Sequence, residues 1–301
     1  MRELCLDGIF PPLTTPFDDR GEVDFKGLTQ NITRYNETGL SGYVAFGSNG
    51  EAVHLTADER IQILETIRRA AAPGMKLIAG VNELSARAAI ESARRAVAAG
   101  ADVVLVVTPY FYKTAMTQEV LANYFREVAD ASPRPVLIYN VPQNTGVVIE
   151  SATIARLAAH PNIIGVKDSA GNMGAISETI RLTPEDFNVL VGNGSILFPA
   201  LMMGAKGAVL AVACAAPHAC VELHRAVKAG DMDRARDLQK RIGPLSHTVT
   251  AGFGVAGLKA ALEMAGFIGG APRSPLAPVS PANREKIKAV MQTTGLFPGI
   301  E

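Results

Sequence analysis

The run Asn162-Ile163-Ile164-Gly165-Val166-Lys167-Asp168-Ser169 carries an apolar, β-branched stretch into an amine. Ile163, Ile164 and Val166 have the composition of a strand buried on both faces. A Lys at the end of such a strand sits in a poorly solvated place. Burial disfavours the charged form of an amine, and a neutral amine is a nucleophile. The chemistry that uses one is attack on a ketone or aldehyde to give a Schiff base. The competing reading is a strand-end Lys that snorkels to solvent or pairs with Asp168.

Other polar signals fall at similar places. Gly47-Ser48-Asn49-Gly50-Glu51 places two small hydrogen-bonding residues between glycines. Such a loop can present N–H groups and side chains to an anion, although alone it also reads as a plain turn. Thr108-Pro109-Tyr110-Phe111-Tyr112, Tyr139-Asn140 and Gly192-Asn193-Gly194 end three more apolar runs. Together these ends offer an amine, phenols, a hydroxyl and a carboxamide. If they share one mouth, packing alone explains them poorly, and a catalytic Lys167 is favoured.

The elements that must position them recur along the chain. Strands are expected at 8–13, 42–46, 76–81, 102–107, 135–139, 162–166, 187–191 and 207–212. Their starts lie about 20 to 34 residues apart, the size of a βα unit. Helical periodicity fills the gaps, as at 60–72 behind the capping-box spacing of Thr56 and Glu59, and at 85–99, 117–131 and 151–159. Eight such units give a (β/α)8 TIM barrel over residues 1–230. Its strand carboxyl ends are where chemistry sits. A doubly wound sheet is the runner-up, but no glycine fingerprint comes after the first strand. Three helical stretches, 231–250, 255–266 and 280–293, make residues 231–301 a C-terminal helical extension packed on the barrel.

Composition narrows the function further. Lys plus Arg and Asp plus Glu are both 29, so the formal net charge is zero. That argues against an electrostatic hold on nucleic acid or an anionic membrane. Three cysteines, Cys5, Cys214 and Cys220, form no CxxC pattern and suit free thiols in a reducing compartment. The first seven residues lack an apolar leader core, and residues 196–217 read as helix, turn and strand instead of a membrane span. A cytoplasmic enzyme is expected. The five histidines show no HxH or HExxH spacing, so no metal is expected. Gly252-Phe253-Gly254-Val255-Ala256-Gly257 matches GxGxxG by letter, yet comes after a helix, so a nucleotide role is set aside. Glu51 is expected to bond loop N–H groups and to do no chemistry.

These motifs, with Thr14-Thr15-Pro16-Phe17, Tyr139-Asn140-Val141-Pro142 and Thr145-Gly146, resemble the pyruvate-dependent class I lyases of the dihydrodipicolinate synthase and N-acetylneuraminate lyase family. The resemblance runs from about Gly8 to the C-terminus. It implies a barrel, usually a homotetramer, that uses no cofactor and forms a Schiff base between a strand-six Lys and a pyruvate-type 2-oxo acid. Residue by residue it makes Lys167 the nucleophile and Tyr139 the proton carrier. Ser48 and Asn49 become the holders of the substrate carboxylate, and Asn144, Ser169 and Gly192 complete the substrate-binding set. Departures matter. The synthase pattern has two Thr at the Ser48-Asn49 pair, an Arg at Asn144 and a Tyr at Phe111. Asn cannot replace a bidentate carboxylate anchor. The motifs are closest to 4-hydroxy-2-oxoglutarate aldolase, and that activity, giving pyruvate and glyoxylate, is the expected one. Dihydrodipicolinate synthesis from pyruvate and aspartate semialdehyde is the alternative. Outside the enzyme class, a 2-oxo acid sensor remains, kept open by Phe111. In an extended segment Phe111 would point away from Tyr110 and Tyr112.

Overall fold

Eight strands run parallel, β1 (Gly8–Phe10), β2 (Gly42–Ala45), β3 (Lys76–Val81), β4 (Val103–Val107), β5 (Val136–Asn140), β6 (Ile163–Asp168), β7 (Asn188–Val191) and β8 (Gly207–Val209). They are ordered β1-β8-β7-β6-β5-β4-β3-β2 in one sheet. The ring closes just beyond β1: Val44 N–H donates to Pro11 O at 3.0 Å and Leu13 N–H to Val44 O at 2.9 Å. This is the expected (β/α)8 TIM barrel, seen here in a computed structural model that describes residues 4–297, 299 and 300. Residues 1–3, which begin the stretch read as lacking a leader core, lie outside the described residues, as do Pro298 and Glu301 of the extension.

β1 and β8 are shorter than their apolar runs. Pro11 and Pro12 cannot donate to a ladder, and Val212–Ala215 has turned helical. Elsewhere side chains alternate with the period of two that strands impose. Val103, Leu105, Val107, Leu137, Tyr139 and Val141 fill the barrel interior, while Val104, Val106, Val136 and Ile138 face the helices.

β6 breaks this rule, and the break decides where Lys167 points. Val136 pairs with Ile163 and Leu137 with Gly165, so Ile164 is an extra residue. Ile164 lies in the interior cluster, yet Val166, two residues on, packs outside. A bulge resets alternation and re-aims the side chains beyond it. Lys167 then faces inward and Asp168 outward. Gly165 permits the crossing: a Cβ there would lie 2.2 Å from Asn188 O.

The helices start as their caps dictate. Thr56 and Glu59 form the reciprocal capping box of Ala57–Ala70, and Ser85 and Thr117 cap Ala86–Ala98 and Gln118–Ala131. In the tail, Met232–His247 runs into a π-turn, Thr248–Gly252, before Gly254–Met264 and Pro281–Thr294. No helix among the described residues is long and apolar enough to cross a membrane.

Candidate active site

The register of β5 against β6 pairs Tyr139 with Lys167 and Asn140 with Asp168. Registered neighbours share a face, so the first pair points into the barrel mouth and the second behind it. Lys167 Nζ lies 4.0 Å from the centre of the Tyr139 ring, and both residues are buried. Asp168 does not pair with Lys167. Its carboxylate accepts from Asn140 Nδ2 at 2.6 Å and from Ala170 N–H at 2.9 Å. Asn140 Oδ1 accepts in turn from Ile149 N–H. The outward pair clamps two strand ends and leaves the inward amine without a carboxylate partner among the described residues.

Tyr139 is electrostatically tuned. Burial alone would raise its pKa. The Lys167 charge and hydrogen bonds with Ser48, Lys167 and Ser169 outweigh that and hold the phenol below its ordinary value. Asp168 moves the other way: burial lifts its carboxyl, and the bonds from Asn140 and Ala170 only partly offset this.

Beyond the pair, Tyr139 Oη lies 3.4 Å from Ser48 Oγ, which accepts from Asn144 Nδ2 at 2.9 Å. Gln143 Nε2 donates to Ser169 O at 2.7 Å. A cleft of about 420 Å³ opens over these groups and is lined by all seven expected residues: Ser48, Asn49, Tyr139, Asn144, Lys167, Ser169 and Gly192. Gly192 is required where it stands, since a Cβ would lie 1.9 Å from Ser169 Oγ. A second lobe of about 250 Å³, lined by Asn82, Tyr110 and Val53, shares Ser48, Tyr139 and Asn144 with it.

Ser48 and Asn49 ride on a strained loop. Phe46 and Glu51, neither a glycine, have φ of 60° and 54° and bracket it. Such residues cost of order 1–3 kcal/mol each and persist only where surroundings over-determine them. Here Thr15 Oγ1 donates to Gly50 O at 2.7 Å, which gives the Thr-Thr-Pro-Phe motif its structural meaning. Glu51 does more than bond loop N–H groups. One oxygen accepts from Arg273 N–H at 2.8 Å, and the other meets Lys259 Nζ at 2.6 Å in a pair that is 1% exposed on both sides. Lys259 also donates to Ala271 O at 2.9 Å and lies over the Phe17 ring. Burial pulls the Lys259 pKa down, and Glu51 opposes that. The carboxylate thus ties the loop to Gly254–Met264, the helix whose first turn lines the cleft.

Glu51→Gln should therefore destabilise the fold by about 3–5 kcal/mol, the cost of leaving a buried charge alone. Urea unfolding checks this. The double change Glu51→Gln with Lys259→Met should regain part of the loss, because no lone charge remains. A double variant less stable than the single one would show that the pair is not the source.

One expectation needs correction. The 108–112 segment is not extended but turns at Phe111 and Tyr112. Both rings are exposed, at 71% and 72%, and meet edge to face at 5.1 Å, while Tyr110 lines the second lobe. The glycine run at 252–257, set aside as a nucleotide motif, borders the cleft in another capacity. Thr250, Ala251, Gly254 and Val255 line the cleft, because the π-turn swings this segment over the mouth. Lys259 gave no signal, since one Lys in an apolar helix usually snorkels. The cysteines are free thiols, Cys5 exposed and the other two buried.

Comparison with known proteins agrees with this architecture. The dihydrodipicolinate synthetase family model matches residues 5–294. A 4-hydroxy-tetrahydrodipicolinate synthase of Methanothrix thermoacetophila is 36% identical over 285 residues, covering 94% of this chain and 95% of that one. The dihydrodipicolinate synthase structure from Aquifex aeolicus superposes with a TM-score of 0.91 at 33% identity, over 97% of this chain and 99% of that one. YagE, a prophage protein of the same family from E. coli K12 solved in complex with pyruvate, gives a TM-score of 0.91 at 29% identity, over 97% and 99% of the two chains. The chain belongs to the dihydrodipicolinate synthetase family and is, with it, a Schiff-base carbon–carbon lyase.

Proposed function

We propose that this chain is a class I aldolase that makes or breaks the C3–C4 bond of a 4-hydroxy-2-oxo acid through an imine on Lys167. The observation that carries this is a buried amine 4.0 Å from a buried phenol, on registered neighbours of adjacent strands. Lys167 adds to the C2 ketone of the substrate, and water leaves as the imine forms. Ser48 and Asn49 hold the adjacent carboxylate. Tyr139 takes the C4 hydroxyl proton, and the electrons of the C3–C4 bond flow into the protonated imine. An aldehyde departs, and the enamine is protonated at C3 and hydrolysed to pyruvate. Asn144 donates to Ser48 Oγ and lines the same cleft, and the resemblance assigns its position to the second substrate. The motifs of Ser48-Asn49 and Asn144 support 4-hydroxy-2-oxoglutarate as one such acid.

A second reading is dihydrodipicolinate synthesis, favoured by the names of the relatives. Against it stands Asn144, which has no positive charge for the carboxylate of aspartate semialdehyde. The assembly is read as a cytoplasmic homotetramer by family resemblance, a reading supported by the apolar Val53, Phe111, Tyr112 and Val148 left exposed on loops after β2, β4 and β5.

The test is a comparison of kcat/KM for pyruvate release from a panel of 4-hydroxy-2-oxo acids with that for condensation of pyruvate and aspartate semialdehyde. Cleavage of at least one acid should exceed the synthase reaction by on the order of tenfold or more, the worth of one charged hydrogen bond. Equal constants would favour the synthase reading.

A further inference from the structure

We propose, resting on the Schiff-base reading above, that Asn140 and Asp168 are positioning residues: from the face of the strands turned away from the cleft, their side chains hold Tyr139 and Lys167 at reacting distance. Neither lines the cleft or its second lobe. Each acts through the residue it follows in sequence.

The strand ends are the first ground. Asn140 with Asp168 is the last registered pair of β5 and β6, and the bulge at Ile164 has already interrupted that ladder once. A strand end with nothing beyond it frays. Tyr139 and Lys167 stand one residue from that end. What lies there instead is a knot of hydrogen bonds. Ser169 N–H donates to Asn140 O at 2.9 Å, and Gly192 N–H donates to Asp168 O at 2.6 Å, which ties in the end of β7. The side chains add three contacts. Asn140 Nδ2 donates to Asp168 Oδ2 at 2.6 Å, Ala170 N–H to Asp168 Oδ1 at 2.9 Å, and Ile149 N–H to Asn140 Oδ1 at 3.4 Å. Asn140 is 2% exposed and Asp168 6%.

The chemistry of the pair is the second ground. Asp168 is buried, and burial pushes its carboxyl pKa up. An apolar residue would fill the same space without that desolvation. Its use lies in hydrogen-bond polarity. An amide offers one oxygen and one nitrogen, whereas a carboxylate offers two acceptors. The three contacts are all met by one carboxylate and one carboxamide. Two carboxamides fail, because however each is turned, donor faces donor at one contact or another. Two carboxylates set acceptor against acceptor between the strands. An exchanged pair, with the carboxylate on β5 and the carboxamide on β6, meets all three again: the carboxylate accepts from Ile149 N–H and from the carboxamide, whose oxygen accepts from Ala170 N–H.

The experiment gives the full chain pyruvate alone and follows exchange of its methyl protons for solvent deuterium. Exchange needs the imine and a proton carrier beside it. A proton leaves C3 as the C–H electrons enter the protonated imine, and a deuteron returns to the enamine. Asp168→Asn should slow exchange at saturating pyruvate by on the order of 10- to 100-fold, the scale that about 1 Å of misplacement costs. KM for pyruvate should stay within a few-fold, because Ser48 and Asn49 ride on the loop after β2. Adding Asn140→Asp to that variant makes the exchanged pair and should return the rate to within a few-fold of the unchanged protein. A folded Asp168→Asn protein that exchanges at the original rate overturns the proposal, whatever its Tm, and so does a loss that falls on KM instead of the rate. An exchanged pair that stays slow or does not fold also overturns it, and this arm decides alone if Asp168→Asn does not fold. Borohydride trapping of pyruvate on the unchanged protein separates the two failures. Without trapping the Schiff-base reading falls and takes the positioning role with it; with trapping, only the positioning role is at stake.

Discussion

Replacing Lys167 with Ala should abolish the pyruvate-derived mass that borohydride adds to the protein, and should lower turnover of any 2-oxo acid by on the order of 10³-fold or more. The magnitude reflects the loss of a covalent route. Without the amine there is no imine, and no other group in the cleft can accept the electrons of the breaking bond. Lys167 is 3% exposed and faces a phenol and hydroxyls, and no carboxylate lines its cleft among the described residues. The fold should tolerate the change, because the clamp between Asn140 and Asp168 lies on the opposite side of the strand. Peptide mapping of the trapped protein decides the assignment. Adduct on another Lys, or adduct persisting in Lys167→Ala, would sink it. Lys259 is the control that makes the result informative: it is as buried as Lys167 but is paired to Glu51, and it should stay unlabelled.

How much of this was legible in the sequence differs from element to element. The barrel was, because β-branched runs spaced like βα units leave few other folds. The convergence of Ser48, Asn49, Tyr139, Asn144, Lys167, Ser169 and Gly192 came with it, since strand ends in a parallel barrel share one rim. The direction of Lys167 was not legible. Ile163, Ile164 and Val166 are all apolar, and a strand buried on both faces shows no alternation to read. Simple alternation from Ile164 would have put Asp168 inside and Lys167 outside. Only the extra residue opposite Val136 and Leu137 reverses this, and Gly165 was its sole trace. The rim loops were legible in composition but not in shape. Phe111 and Tyr112 were expected in an extended segment, and a turn exposes them both. The segment at 248–255 was hidden for a different reason. It reaches the cleft by tertiary placement from the C-terminal tail, through a π-turn that no local pattern announces.

Tyr139→Phe should keep the fold and still permit imine trapping, yet lower kcat by on the order of 10²-fold or more, the scale of a positioned proton transfer. The phenol is a ring's width from the Lys167 amine and within reach of Ser48 Oγ, so its loss removes a proton carrier without emptying the cleft. Its pH behaviour carries a sign. Burial raises the phenol, but the Lys167 charge and three hydrogen bonds pull it below the ordinary value of about 10. The positive charge persists on the imine, so the pull persists during reaction. Cleavage that needs phenolate as base should rise with pH and level off below the range of a free phenol, and Tyr139→Phe should flatten that limb. Tyr112→Phe and Phe111→Tyr are the comparisons. Both rings are more than two-thirds exposed and line neither lobe, so within one chain neither can relay a proton to the bond that breaks. If Tyr112→Phe is as damaging as Tyr139→Phe, a ring outside the cleft enters the reaction, and a second copy of the chain must bring it there. If Tyr139→Phe is nearly silent, water or the substrate's own carboxylate moves the proton, and Tyr139 is a wall of the site whose lowered pKa reflects only its neighbour.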